Sequence, residues 1–246
     1  MDISELIDSL NREGHLLADA AAAAGADAPV PTCPEWRVRD LLSHLGRVHR
    51  WATRIVTEGV TEPSQATFPP EPQLDGDALL EWFREGHRTL VEALRTADPQ
   101  LKCFTFLPAP SPLAFWARRQ AHETAIHRAD AESARGLEPS SVTSAFAADG
   151  LDELLAGFHA RERSGMRTDS PRTLRLRATD HDAVWTVWLS DGVPRTERHD
   201  DGMADCELSG PVATLYFALW NRLPLSALST TGDPEPARLW QERGAI

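Results

Sequence analysis

Residues 117–130 read ARRQAHETAIHRAD, and hold two histidines and a glutamate within six positions. The spacing is H-E-x-x-x-H, one residue longer than the H-E-x-x-H of zinc proteases. An α-helix turns about 100° per residue, so His122 and His127 point roughly 140° apart and cannot grip one ion from a straight helix. Glu123 and His127 are four apart and share a face. They belong to the stripe Trp116, Gln120, Glu123, His127, Asp130 and Ala134, whose heptad-like spacing suits a bundle interior. Four consecutive members are polar, and a polar inward stripe is costly unless something satisfies it. The other reading turns this stripe to solvent as an ordinary Glu–His pair. It buries instead the alanine face of Ala114, Ala117, Ala121 and Ala125.

A second helix bears on that choice. It is expected to open at TCPEW, with Thr32 as N-cap, Glu35 completing a capping box and Pro34 in the first turn, and to run to about residue 58. Its inward row is Leu41, His44, Val48, Trp51 and Ile55. A lone histidine on an apolar face is commonly a hydrogen-bonded core residue, and it needs a partner. Glu123 and His127 on another helix would supply one. Together His44, Glu123 and His127 make a His₂Glu set. Such a set suits Zn²⁺ held by three protein ligands with an open fourth position.

Outward from these helices, apolar spacing predicts helices over 3–24, 76–97, 112–135 and 141–163. Ser111 and Pro112 start the fourth and Gly136 stops it. The proline-rich EPSQATFPPEPQ reads as a loop. Near residue 165 the pattern changes. RTLRLRATD and AVWTVWLS read as strands joined by a turn at His181 and Asp182, DCELSG as a shorter strand, and 211–222 and 235–243 as helices separated by LSTTGDPEP. The expectation is an α+β chain, with a helical bundle over 1–163 and a small α+β domain over 164–246. The remaining histidines, His15, His49, His87, His159, His181 and His199, are scattered and expected mostly at solvated or capping positions.

The net charge of −12 gives no electrostatic footprint for nucleic acid or an anionic membrane. No apolar run is long enough to span a bilayer, and the acidic start MDISELIDSL is unlike a secretory leader. Cys33, Cys103 and Cys206 are odd in number and widely spaced, which points to a reducing cytoplasm. Cys33 would begin the second helix, where the helix dipole could activate it; the other reading is an inert thiol.

PTCPEWRVRDLLSHLGRVHRW (31–51) and WARRQAHETAIHRADAE (116–132) resemble the two signature segments of the mycothiol-dependent maleylpyruvate isomerase family. LYFALWNRLP and TTGDPEPARLW are similar to its C-terminal region. The resemblance implies a DinB-like up-down four-helix bundle followed by the smaller domain. It also implies His44, Glu123 and His127 as ligands of Zn²⁺ or another divalent metal. Asp130 matches an acidic position that would orient a ligand or hold the thiol; the other reading is a surface charge. Arg222 matches an arginine that would close over the site; the other reading is a rim salt bridge. The implied chemistry is isomerase or transferase, with a metal-bound thiol such as mycothiol attacking a small electrophile, in a monomer or homodimer. The same ligand set also suits a hydrolase using metal-activated water, or a non-catalytic bundle stapled by a structural metal.

Overall fold

The computed structural model describes residues 1–198, 200 and 202–244. His199 lies outside the described residues. The chain divides into two compact units, Met1–Ser140 and Ser141–Ile246. The expected boundary at 163/164 marks the change from helix to strand, and the helix expected over 141–163 falls in the second unit.

The first unit packs four helices: α1 (Ile3–Ala24), α2 (Val38–Glu58), α3 (Gly76–Thr96) and α4 (Pro112–Ser133). Local chemistry sets the helix starts. Asp2 and Glu5 close a reciprocal capping box on α1, the Asp2 carboxylate accepting from Glu5 N at 2.8 Å. Ser111 Oγ accepts from Ala114 N at 3.1 Å, with Pro112 in the first turn of α4. The start of α2 differs from expectation. Arg37 is its N-cap, and its N–H donates to Asp40 Oδ2 at 2.8 Å. Thr32 caps nothing, and Cys33 lies before the helix rather than in its first turn.

Helix directions follow from the contacts. Arg39 meets Asp75, Gly46 faces Trp82 and Arg50 reaches Glu85, so α2 and α3 run parallel. Asp8 meets Arg95 and Leu10 meets His87, so α1 and α3 are antiparallel. His44 meets Glu123 and Trp51 packs on Trp116, so α2 and α4 are antiparallel. The pattern is thus up-down-down-up rather than strictly alternating. The long proline-rich segment 59–75 returns the chain to the same end of the bundle before α3 starts.

Both faces of α4 are buried. Ala117, Ala121 and Ala125 are fully buried, and so are Trp116, Gln120 and Asp130 on the polar stripe. The two readings of this helix are therefore not exclusive, because it has neighbours on more than one side. Three of the scattered histidines are also interior: His49, His87 and His159. His87 Nε2–H donates to Leu10 O at 3.1 Å, and its ring lies so close to Gly14 that a Cβ there would overlap it.

Burial pushes His87, and His159 in the second unit, down to about 4. The unfolded chain binds these protons near 6.5, so acid favours unfolding. The stabilisation is complete above pH 6.5 and is lost as pH falls towards 4. It amounts to about 3 kcal/mol per histidine at about 1.4 kcal/mol per pH unit. Denaturant midpoints should therefore drop between pH 7 and 4.5. His87→Gln, which keeps a donor but cannot take up a proton there, should flatten that slope; an unchanged slope would show that His87 contributes nothing to it.

The second unit holds α5 (Ser144–Asp152), a π turn at Glu153–Phe158, and a five-stranded sheet with two more helices, α6 (Val212–Leu219) and α7 (Glu235–Arg243). The strands are β1 (Arg172–Ala178), β2 (Val184–Leu189), β3 (Arg195–Glu197), β4 (Cys206–Gly210) and β5 (Ser229–Gly232), in order β3-β2-β1-β4-β5. Among the described residues, β1 and β4 pair in parallel and the other neighbouring strands antiparallel. The register aligns Leu174 with Val187 and Cys206, and Leu176 with Trp185 and Leu208, which makes one face apolar and buried. Arg177, on the other face, pairs with Glu207 at 3.1 Å. The edge strands β3 and β5 fall in stretches read as connections. They are short and mostly exposed, and carry no alternating pattern.

Candidate metal centre

α2 places His44 two turns from its start, and α4 presents Glu123 and His127 one turn apart. His44 Nε2 and His127 Nε2 each lie 3.5 Å from the same atom, Glu123 Oε1. All three candidate ligand atoms lie within 4.8 Å of one another. A distance of 3.5 Å is long for a hydrogen bond. It matches the separation of about 3.4 Å between ligand atoms set 2.0–2.2 Å from a tetrahedral Zn²⁺. The donor set, two imidazole nitrogens and a carboxylate oxygen, also suits that ion.

The surrounding contacts leave the ligand atoms available. His127 Nδ1–H donates to Asp130 Oδ2 at 2.7 Å, which directs the Nε2 lone pair to the cluster. Arg119 Nη2 donates to Glu123 Oε2 at 3.1 Å, so Oε1 is the oxygen turned to the histidines. Thr32 Oγ1 donates to Asp130 Oδ1 at 2.6 Å. The Trp36 indole stacks on His127 with centroids 5.8 Å apart and tilts over His44 at 5.0 Å. Side-chain exposure falls from 35% at His44 to 25% at Glu123 and 10% at His127, so the cluster opens towards the His44 side.

The electrostatics favour a positive charge between these groups. Burial opposes the His127 imidazolium, but the hydrogen bond to Asp130 and the negative charge of Glu123 beside Nε2 outweigh it and hold the ring up to about 9. Burial would raise Glu123, yet the neighbouring imidazoles of His127 and His44 and the charge of Arg119 keep its carboxyl well below the usual range. A divalent cation can take the place of the His127 proton.

The structure thus brings His44, Glu123 and His127 together, with Asp130 directly behind His127. Asp130 is fully buried, so the surface-charge reading does not hold for it. Arg222 belongs to the second unit, where its Nη1 donates to Trp220 O at 2.7 Å. His122 is buried outside the cluster. Arg119, Thr32 and Trp36 were not singled out as site residues by the sequence. Arg119 precedes Glu123 by four, a helical spacing that could have flagged it. Thr32 was masked by its fit to a capping motif.

Residues 8–132 match the family model described as the mycothiol maleylpyruvate isomerase N-terminal domain, half of the chain. The chain belongs to that family. Residues 145–238 match its companion, the MDMPI C-terminal domain. Two solved structures are similar in fold: a mycothiol-dependent maleylpyruvate isomerase (TM-score 0.63, 11% identity) and a histidine-to-alanine mutant of it (TM-score 0.65, 12% identity). In both comparisons the likeness covers 94% of this chain and 93% of the other. No curated protein matches by sequence. Membership of this isomerase family, with the His₂Glu cluster, supports a metal-assisted, thiol-using enzyme of isomerase or transferase type. Among the described residues no helix is long and apolar enough to cross a membrane.

Proposed function

We propose that His44, Glu123 and His127 hold one Zn²⁺ or similar divalent ion, and that a low-molecular-weight thiol of the mycothiol type is activated there to attack a small electrophile. The observation that carries this reading is the pair of 3.5 Å separations converging on Glu123 Oε1. A metal ion bound to these groups would lower the thiol pKa and supply thiolate near neutral pH.

The residues of the chain do the rest. Glu123, held by Arg119, offsets the charge of the centre, and Asp130 keeps a proton on His127 Nδ1 so that Nε2 is the atom offered to the metal. The exposed His44 side is the approach for the thiol and the electrophile. Sulfur adds to an alkene carbon conjugated to a carbonyl, and the π pair moves to the carbonyl oxygen. Rotation about the resulting single bond and loss of the thiolate restore the alkene with changed geometry; protonation instead leaves a conjugate. For Arg222 the family resemblance is the only support: on that likeness alone it would bind an anionic group of the thiol or substrate. Cys33, Cys103 and Cys206 form no disulfide, which fits a reducing, cytoplasmic setting.

Calorimetric titration with mycothiol tests the reading. Binding should be measurable on the metal-loaded protein, abolished after chelation and weakened in Arg222→Ala at unchanged metal content. Metal-dependent turnover of an ester or amide without thiol would instead favour activated water.

A further inference from the structure

We infer that residues 29–37 form a strap that sets the geometry of the metal centre, with Thr32 and Trp36 as positioning residues for its two imidazoles. The inference rests on the metal reading above and extends it to a segment outside the ligand helices. The strap is internally braced. Val30 N donates to Trp36 O at 2.9 Å, Cys33 N to Val30 O at 2.9 Å and Trp36 N to Cys33 O at 2.8 Å. Pro29 and Arg37 bridge its ends, and Val30 is buried in the bundle core. Pro29, Pro31 and Pro34 limit its backbone freedom before folding.

From this frame Thr32 donates its hydroxyl hydrogen to a carboxylate 98 residues away rather than to its own backbone. One Asp130 oxygen then holds Thr32 and the other His127 Nδ1, so the carboxylate is pinned at both ends. Ser133 Oγ lies 3.0 Å from Thr32 Oγ1 and donates to the Asp130 carbonyl at 2.7 Å, which holds the same turn. A pinned Asp130 fixes both the tautomer and the plane of His127. Trp36 acts differently, because its ring is packed against imidazoles from two helices. The indole borders both imidazoles and so restrains how each ring is set. Neither residue offers a ligand atom, so the strap orders the donors without filling a coordination position.

Zn²⁺ affinity, measured by competition with a chromogenic chelator on folded protein, tests this. Thr32→Val, which keeps the shape and removes the hydroxyl, should bind Zn²⁺ about tenfold or more weakly, as for other outer partners of a ligating histidine. Thr32→Ser should return to near the parent affinity. Trp36→Leu leaves the Thr32–Asp130 contact in place and should also weaken binding; it decides the matter if Thr32→Val does not fold. A merely structural role would lower the unfolding midpoint of the metal-free variants and leave Zn²⁺ affinity unchanged. Parent-like affinity in folded Thr32→Val overturns the inference while leaving the metal centre intact. A parent protein that binds no Zn²⁺ overturns the metal reading itself.

Discussion

The purified protein should carry about one divalent metal ion per chain, and His44→Ala far less, by elemental analysis. His44 is the one member of the cluster on α2. Without it, Glu123 and His127 remain as a pair on a single helix, too few donors for a tetrahedral site. Losing an outer-shell partner already costs roughly 10–100-fold in affinity, and losing a ligand should cost more. The fold should persist, since the His44 side chain is about a third exposed (35%) and its main ring contacts, Trp36 and His127, belong to the site itself. Equal metal in parent and variant would remove His44 from the site, and with it the convergence on which the thiol chemistry depends.

Arg128→Met should be among the most destabilising single changes in the bundle. Arg128 is fully buried, its Nε donating to Glu13 Oε2 at 2.8 Å and its Nη1 to Glu132 Oε2 at 2.5 Å. Glu13 and Glu132 are themselves only 1% and 6% exposed. Removing the cation strands two buried carboxylates, and breaking such a network by one partner costs about 3–5 kcal/mol. Glu132 keeps its bonds from Ser140 N and Oγ, and Glu13 keeps Arg12 at 3.2 Å, which places the effect at the lower end. Adding Glu13→Gln to Arg128→Met should recover part of the loss, because a neutral amide needs no counter-ion. Denaturant unfolding checks both; a loss under 1 kcal/mol would show that water reaches the carboxylates, as for an exposed pair.

The candidate ligands are legible because their signal is one of spacing. Glu123 and His127 share a helical face by period alone, and His44 stands out against Leu41, Val48 and Ile55. The start of α2 differs from its sequence pattern for an equally local reason. Thr32 and Glu35 satisfy a capping pattern, while Arg37 and Asp40, which cap the helix, do not look like one. The interior histidines carry no mark in the sequence because the burial of a polar ring depends on what packs against it. His87 is buried by a close approach at Gly14, a residue seventy-three positions away by number (87 − 14). The edge strands β3 and β5 exist through pairing with β2 and β4 and carry no internal pattern.

By itself the sequence determined the helices of the bundle, the switch to strands near residue 165 and the three candidate ligands, since periodicity, proline and charge act over a few residues. Only the tertiary structure decided that α2 and α3 run parallel, that α4 is buried on both faces, and that Thr32 and Trp36 reach across to Asp130 and His127. Those contacts join residues as far as 98 positions apart. Packing selects them by complementary shape and by the need to satisfy buried polar groups, and neither leaves a periodic trace along the chain.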